Sequence, residues 1–326
     1  MTDLVRSVRW GAVLGAATLA MLTPAPAQEL QAGKPIRMIV GLAAGGGTDI
    51  TARLVAQEMG KNMGMTVLVE NKPGGNFVIA AREVANSPPD GHTLYFISSS
   101  SLITQALHAD HPIDLLKFAA VSEVSTGPLI LVARNDLGAK TVREVLDLAK
   151  SKPGTLKFGT GGGTGSSLYL ATEFLKATTG ININIVPYRG SGPALNDLLG
   201  GHIDLMFDAM PMMSVQAKEG KVTPIAVTGT KRSPVLPDVA TVQESGLTYE
   251  ITGWYGILAP PGTPPAIVQK LRDETVKALA PADMIAKLSS QGMEPRATQP
   301  ADFAKYMASE LALYTKIVKD ANIKPQ

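Results

Sequence analysis

The chain has 326 residues, of which 45% are hydrophobic, 18% charged and 5% aromatic, and its formal net charge is +2. This length allows two α/β domains with separate cores, and the balanced charge argues against a protein that binds nucleic acid. The low aromatic content disfavours sites that stack sugars or unpaired bases. The absence of cysteine excludes disulfides, lipidated cysteine, thiol nucleophiles and thiolate metal sites.

The first 27 residues have the pattern of an export signal. Arg6 and Arg9 precede an apolar core of 13 residues, 10–22, and residues 25–27 form a small-x-small cleavage site. The apolar core is too short to span a bilayer, so a cleaved signal is favoured over a membrane anchor. The sequence therefore predicts a signal peptide over residues 1–27 and export of the remainder.

Strand and helix patterns alternate from residue 35 onward, and the first pair encloses a glycine-rich turn. Apolar residues 36–40 predict a strand, and the apolar spacing in 49–59 predicts a helix that stops at Gly60. The turn between them, residues 41–49, reads GLAAGGGTD. Such a turn exposes backbone N–H groups next to the positive end of a helix, so it suits an anion.

The following elements continue this alternation. Strands are predicted at 67–69, 93–97 and 129–132, and helices at 77–86 and from Thr141, where Glu144 closes a capping box. Ser98, Ser99, Ser100 and Ser101 follow the strand 93–97, at the edge where open α/β sheets bind ligands. These serines are either ligand contacts or an ordinary polar loop.

A second glycine-rich turn, GTGGGTGSS at residues 159–167, lies between a strand at 156–158 and a helix at 167–178. Neither turn has the P-loop lysine or the G-x-G-x-x-G register, which argues against ATP, GTP and NAD. Two similar turns far apart in the sequence indicate two similar halves that grip one anionic ligand. The alternative is structural, because glycine allows sharp bends and serine or threonine caps helices.

The rest of the pattern indicates that the chain returns to its first domain. The predicted strands are 183–186, 203–207, 225–227 and 249–258, and the helices are 193–199, 212–219, 265–279, 282–291 and 300–321. We expect an α/β fold with two lobes, two doubly wound parallel sheets and a two-strand hinge that crosses at 129–132 and 225–228. Lobe 1 would comprise residues 28–128 and 231–326, and lobe 2 residues 129–230, with the ligand in the cleft.

Three charged residues have two interpretations each. Asp49 and Asp208 are either helix-end or strand-end carboxylates of structural value, or ligand contacts through water, NH or OH groups. Arg189 is either a carboxylate clamp or a member of a structural ion pair. The chain has no G-x-S-x-G, S-x-x-K or H-E-x-x-H motif, so no catalytic residue, metal site or cofactor is predicted.

Several short motifs, taken in order, resemble those of the tripartite tricarboxylate transporter receptors, also called Bug proteins. They are Gly45-Gly-Gly-Thr-Asp49, Glu70-Asn-Lys-Pro-Gly-Gly75, Pro89-Asp-Gly-His-Thr-Leu94, Gly163-Thr-Gly-Ser166, Val186-Pro-Tyr-Arg-Gly190, Gly201-His-Ile-Asp204 and Trp254-Tyr-Gly256. The resemblance implies a periplasmic, two-lobed binding protein of type II architecture, and we expect the protein to be a monomer. It would capture a small organic acid and deliver it to a membrane permease made of a large and a small subunit.

The resemblance also implies how the ligand is held. The carboxylate would be bound by backbone N–H groups, hydroxyls and ordered waters, not by an arginine. Carried over by position, the ligand contacts are Gly45, Gly46, Gly47, Thr48, Asp49, Ser98, Ser99, Ser100, Thr160, Gly161, Gly163, Thr164, Gly165, Ser166 and Asp208.

Two departures from the family pattern concern the cleft. Ala43-Ala44 replaces a proline that often precedes the first glycines, and Asn76-Phe77-Val78 replaces the small residues that usually follow the Pro-Gly turn.

Two other functions stay open on the sequence alone. One is a sensory receptor that presents its ligand to a membrane kinase, and the other is an exported enzyme that acts on a small acid.

Overall fold

The computed structural model describes residues 30–31, 33–108, 110–163, 165–320 and 323. The expected signal peptide, residues 1–27, and the candidate residue Thr164 lie outside the described residues. Of the helices in the described segments, none is both long and apolar enough to cross a membrane.

Strands and helices alternate along most of the described chain. The strands are β1 (Ile36–Val40), β2 (Val67–Asn71), β3 (Thr93–Ser98), β4 (Ala119–Ala133), β5 (Lys157–Gly161), β6 (Asn184–Tyr188), β7 (Leu205–Ala209), β8 (Thr223–Val227), β9 (Thr252–Ala259) and β10 (Glu294–Pro295). The α-helices are α1 (Gly47–Met63), α2 (Val78–Ala85), α3 (Ser99–Leu107), α4 (Val142–Ser151), α5 (Ser167–Thr179), α6 (Ser191–Leu199), α7 (Met210–Lys218), α8 (Pro265–Leu279), α9 (Ala282–Ser290) and α10 (Pro300–Asp320).

Each strand and helix predicted from the sequence is present, with shifted ends, and the capping box of α4 at Thr141 and Glu144 is confirmed. Helix α3 was not predicted, because it begins inside the serine run. Its serines are buried, and Leu102, Ile103 and Leu107 pack into the core, so tertiary packing stabilises a helix that the polar residues conceal.

The prediction that α1 stops at Gly60 is wrong. The helix continues to Met63 and ends at Gly64, which has a left-handed φ of 61° and donates its N–H to the carbonyl of Gly60. Glycine is needed at position 60 for another reason. A Cβ there would lie 2.9 Å from the carbonyl oxygen of Met65, so Gly60 permits a close approach of the backbone.

The two lobes repeat one order of strands. In the first lobe β2, β1 and β3 are parallel neighbours, and β9 runs antiparallel beside β3. In the second lobe β6, β5 and β7 are parallel neighbours, and β4 runs antiparallel beside β7. The parallel strands point their carboxyl ends at the gap between the lobes, which is where open α/β sheets bind ligands.

Strand β4 crosses from one lobe to the other. Its first part pairs with β9 as far as Pro128, opposite Thr252, and its second part pairs with β7 from Leu129, opposite Ala209. The expected first crossing near residues 129–132 is therefore present, and it joins the two sheets into one ten-stranded sheet, in which β8 and β10 pair with β4 beside a continuous path of the other eight strands.

The second crossing differs from the prediction. Strand β8 stays in the second sheet, antiparallel to β4, and the side chains of Val242, Tyr249 and Ile251 pack into the core of the second lobe. The chain re-enters the first sheet only at Thr252, the start of β9. Thr228 links the two crossing strands, because its Oγ1 accepts a hydrogen bond from the Leu129 N–H at 2.8 Å and donates one to the Ile251 carbonyl at 2.5 Å.

Helices cover both faces of each sheet. In β1, Met38 and Val40 pack under α1 and α8, whereas Ile39 points to the opposite core under α2, α3 and α10. In β4, Leu131 faces the core of α4 and α5, and Ile130 faces the core of α6 and α7. Each lobe is thus a three-layer, doubly wound α/β unit.

Candidate functional site

A small cavity lies between the lobes at the carboxyl ends of β1, β3, β5 and β7. Its volume is about 30 Å³, which is room for one or two water molecules in this closed conformation. It is lined by Leu42, Ala43, Gly46, Gly47, Thr48, Ser98, Ser99, Ser100, Leu129, Gly161, Ser167, Leu168, Ser191, Asp208, Ala209, Gly253 and Tyr255. None of these lining residues carries a positive charge.

Hydrogen bonds between the lobes hold this cavity closed. The Ser167 N–H donates to Oγ of Ser100 at 3.0 Å, and the two serine hydroxyls lie 2.8 Å apart. Beside them Thr104 Oγ1 donates to the Gly165 carbonyl at 2.6 Å. The contacts join α3 of the first lobe to the start of α5 in the second, so they break when the lobes separate.

Five helix N-termini meet at the cavity. Helices α1, α3, α6 and α7 begin there without a side-chain cap, and α5 begins there with one. The first N–H groups of a helix have no partner within the helix, and the helix dipole makes this end positive. Four uncapped N-termini around one small cavity favour a bound anion without any cationic side chain.

The first glycine turn places its later residues in the cavity. Gly46, Gly47 and Thr48 line it at the start of α1. A Cβ at Gly47 would lie 2.8 Å from Oη of Tyr255, in the same lobe. It would also lie 2.9 Å from Cβ of Ala209, which belongs to the opposite lobe. Glycine at this position therefore lets the helix end approach the second lobe.

Asp49 and Gly45 of the same turn do not line the cavity. The Gly45 N–H donates to Oδ2 of Asp49 at 2.9 Å, and the carboxylate also accepts hydrogen bonds from Arg53 and Asn71. Burial pushes the pKa of Asp49 upward, but these hydrogen bonds outweigh burial and the net pKa lies below its usual value. The structural interpretation of Asp49 fits this geometry, since the carboxylate fixes the turn.

The second glycine turn contributes less to the cavity. Gly161 lines it, but Gly163, Gly165 and Ser166 do not. The Gly163 N–H donates to the Tyr188 carbonyl at 2.8 Å, and Oγ of Ser166 caps α5 by accepting from the Tyr169 N–H at 3.1 Å. Donors of this turn are thus used within the second lobe.

Asp208 lines the cavity at the end of β7 and is only 1% exposed. Its Oδ1 accepts the Ala209 N–H at 2.7 Å, whereas Oδ2 has no hydrogen-bond partner among the described residues. Burial raises the pKa of Asp208 to about 7, against smaller opposing contributions from Ser191 and the Ala209 N–H. The side chain can therefore present either a carboxylate or a neutral carboxyl group to the cavity near neutral pH.

Two more buried hydroxyls among the candidates have no partner in the described part of the chain. They are Oγ of Ser98, which lines the cavity with Ser99 and Ser100, and Oγ1 of Thr160, which lies in β5 and does not line it. A buried hydroxyl without a hydrogen bond is costly, so such atoms point to a partner supplied by solvent or ligand.

Sequence reasoning missed several lining residues, among them Ser191 and Tyr255. Ser191 begins α6 after Gly190, so it follows the same strand–glycine–helix signal that marked the two turns; the predicted helix start at residue 193 hid it. Tyr255 belongs to a quoted motif, but its position beside Thr48 depends on the return of β9 into the first lobe. Arg189 does not line this cavity.

No group of three or more histidines, aspartates or glutamates is close enough to hold a metal ion in the described segments.

Two doubly wound lobes, linked by two crossing strands around a cleft of helix N-termini, define a solute-binding protein of the type II periplasmic class. The fold prediction is confirmed by solved relatives of this class.

The model of the family described as "Tripartite tricarboxylate transporter family receptor" matches residues 51–323. The chain therefore belongs to this family of periplasmic solute-binding receptors. It is 32% identical over 312 residues to Protein BugT of Bordetella pertussis, with 94% of this chain and 95% of BugT covered.

Two solved structures of related proteins contain organic acids. MatC from Rhodopseudomonas palustris, with bound malate, is 31% identical, covers 87% of this chain and 98% of its own, and has a TM-score of 0.83. A second R. palustris protein, solved with adipate, is 32% identical, covers 90% of this chain and 98% of its own, and has a TM-score of 0.86.

Proposed function

We propose that this receptor captures a small organic acid in the periplasm by holding one carboxylate in the interlobe cavity. The observation that carries the proposal is the meeting of four uncapped helix N-termini there, with no cation among the lining residues. Relatives that contain malate and adipate support a carboxylic acid as the ligand. The candidate contacts that also line the cavity are Gly46, Gly47, Thr48, Ser98, Ser99, Ser100, Gly161 and Asp208.

The available donors are enough for useful affinity. A hydrogen bond to a charged group contributes about 1.5–3 kcal/mol, and micromolar binding requires about 8 kcal/mol. About four such bonds therefore give micromolar affinity once the cost of closing the lobes is included. Donors on α1 and α3 belong to one lobe and those on α6 and α7 to the other, so only the closed form supplies them all. Helix α7 offers fewer, because Pro211 has no N–H and the Ala209 N–H is donated to Asp208.

Capture then works as a population shift. A ligand that gains contacts from both lobes binds the closed form more tightly and increases its population. The crossing strands β4 and β9, with Thr228 between them, are the proposed hinge. The packing of Tyr249 and Ile251 supports a second lobe that extends to residue 251, beyond the limit of 230 taken from the sequence.

Delivery of the acid to a membrane permease with a large and a small subunit is the proposed fate of the ligand, with the receptor acting as a monomer. Membership in the tripartite transporter receptor family supports this part of the proposal. A sensory receptor would use the same closed shape to signal to a kinase. An enzyme would consume the acid, so recovery of unchanged ligand after denaturation distinguishes a receptor from an enzyme.

The test is a thermal-shift screen of mono-, di- and tricarboxylates together with their methyl esters. A ligand that binds only the folded form raises the melting temperature. We expect at least one free acid to raise it in proportion to the logarithm of its concentration, and the matching ester to leave it unchanged. Equal shifts by acids and esters, or no shift by any acid, would contradict carboxylate capture.

A further inference from the structure

Thr104 makes a hydrogen bond between the lobes at a point outside the interlobe cavity. It lies on α3 of the first lobe, is fully buried, and its Oγ1 donates to the carbonyl oxygen of Gly165 in the second lobe at 2.6 Å. Ser100 and Ser167, which bond across the same gap, line the cavity, whereas Thr104 and Gly165 do not. The Thr104–Gly165 contact therefore lies outside the space proposed for the carboxylate.

The close approach of the lobes at this contact depends on glycine. A Cβ at position 165 would lie 3.0 Å from both Cβ and Cγ2 of Thr104, which is closer than carbon atoms normally approach. The φ of Gly165 is outside the left-handed region, so the backbone conformation itself does not require glycine. Glycine at position 165 thus serves the contact with Thr104.

The surroundings of the contact are apolar in this closed form. Leu102, Ile103 and Leu107 of α3 belong to one buried cluster together with Tyr169 and Leu170 of α5, from the other lobe. This packing removes water from the Thr104 hydroxyl and from the buried Gly165. A buried polar group without a partner is costly, so the closed form depends on the hydrogen bond between them.

The Thr104 hydroxyl has a second acceptor in its own helix. The carbonyl oxygen of Ser100, one turn earlier in α3, lies 3.0 Å from Oγ1. A hydroxyl has one proton, so it donates to one of the two carbonyls at a time, and that of Gly165 is nearer. When the lobes separate, the hydroxyl can donate to Ser100, as threonine does in other helices. Opening therefore leaves the hydroxyl paired, and only the closed form uses it to join the lobes.

We infer that Thr104 is a positioning residue that sets the affinity of the receptor through lobe closure without contacting the acid. The inference rests on the proposed function, since closure must be the step that completes the site. The Thr104–Gly165 bond exists only in the closed form and increases its population, and apparent affinity rises with the population of the binding form. Because Thr104 touches no ligand, its loss weakens the binding of every acid by the same factor.

Calorimetry tests this role with malate, adipate and any further acid that raises the melting temperature. Thr104→Val keeps the shape of the side chain but leaves the Gly165 carbonyl without its donor, so affinity should fall about tenfold for each acid. Thr104→Ser keeps the hydroxyl and should stay within about threefold of wild type. A role in packing alone predicts the reverse order, because valine fills the buried site and serine leaves a space.

The matched control is Thr275→Val, on α8 of the same lobe. Thr275 is also fully buried and donates to the carbonyl one turn earlier, that of Leu271, at 2.8 Å. Its hydrogen-bond partners, Leu271 and Met59, both lie in the first lobe. This variant should therefore lose a similar hydrogen bond within a helix and keep its affinity for each acid within about twofold of wild type.

A second variant approaches the contact from the other lobe. Gly165→Ala places a methyl group against Thr104, so it should lose at least as much affinity as Thr104→Val. The double variant should lose no more than Gly165→Ala alone, because both changes remove one contact. Unchanged affinity in Thr104→Val, or a loss for one acid only, overturns the inference and leaves carboxylate capture intact. If no acid binds the wild-type protein, the proposed function fails and this inference fails with it.

Discussion

The two glycine-rich turns look alike in sequence but differ in how they use their N–H groups. The first turn leads into α1, which has no side-chain cap, and it places Gly46 and Gly47 in the cavity. The second leads into α5, which Ser166 caps, and its Gly163 N–H is used by the Tyr188 carbonyl. The first turn is thus equipped to bind an anion, and the second holds β5, β6 and α5 together.

A strand–glycine–helix pattern therefore marks a helix N-terminus but does not show whether its N–H groups are free to bind a ligand. The difference between the two turns comes from Ser166, because a capped helix end has fewer unpaired N–H groups available to a ligand. The second lobe compensates with α6 and α7, whose N-termini are uncapped at the same cavity. Substitutions in each turn test this division between a binding turn and a scaffold turn.

The largest effect is expected from Gly47→Ala. The new methyl group would lie 2.9 Å from Cβ of Ala209 across the cleft, so the lobes cannot close fully and affinity for the acid should fall at least about hundredfold. Stability should fall modestly, because the same methyl group would lie 2.8 Å from Oη of Tyr255 within the first lobe, which offsets the higher helix propensity of alanine. Calorimetry and thermal unfolding measure the two effects.

Gly163→Ala is the matched change in the second turn. Gly163 has a φ of 78°, which strains any other residue, so this variant should lose stability by about 1–2 kcal/mol. Its affinity for the acid, measured below its melting temperature, should fall much less than that of Gly47→Ala. If the two variants lose affinity equally, the turns are equivalent and the division is wrong.

The next largest effect is a dependence of stability on pH that arises from the carboxyl group of Asp208. Because burial raises its pKa to about 7 in the folded protein, compared with about 3.9 in an unfolded chain, the folded form binds more protons between these values. Stability conferred by the neutral carboxyl is therefore greatest in acid, declines as pH rises from about 4 to about 7, and is constant above. In Asp208→Asn this decline should be absent, so its melting temperature relative to wild type should rise over that range.

Ligand affinity should follow the same titration. A neutral Asp208 can donate from Oδ2 to the ligand carboxylate, whereas an ionised one repels it, so affinity should fall about tenfold between pH 6 and pH 8. Tyr255 faces the same cavity, but burial raises its pKa and it stays neutral over this range. Calorimetry across this pH range on wild type and Asp208→Asn is the measurement. A pH-independent affinity in the wild-type protein would show that Asp208 does not donate.

Much of the fold could be predicted because it depends on local signals. Alternating strand and helix patterns locate the elements, and the glycine and serine residues at strand ends locate the cleft. The return of the chain could not be predicted in the same way. Residues 229–251 lack a strong periodic pattern, and their contacts with the second sheet, through the Val227–Thr241 bridge and the packing of Val242, Tyr249 and Ile251, depend on the tertiary structure.

A position at the cavity could be predicted where it follows from the end of a strand or helix, as for Gly46, Ser98 and Asp208. The sequence left two interpretations open where a side chain's role depends on which hydrogen-bond partner it finds. Asp49 is bound by Gly45, Asn71 and Arg53, and these contacts arise only after β2 pairs with β1. The sequence alone does not show which of these groups will form hydrogen bonds with the carboxylate.

The smallest effect is expected from Ser166→Ala, which removes the cap of α5. Its Oγ accepts from the Tyr169 N–H and donates to the Gly163 carbonyl at 3.0 Å, so its loss should reduce the free energy of unfolding by about 1 kcal/mol. Thr141→Ala, at the capping box of α4 far from the cavity, should cost about the same. Urea unfolding measures both. Affinity for the acid should stay within about twofold of wild type in each variant, since neither side chain lines the cavity. A tenfold loss of affinity in Ser166→Ala alone would make the second turn a ligand site like the first.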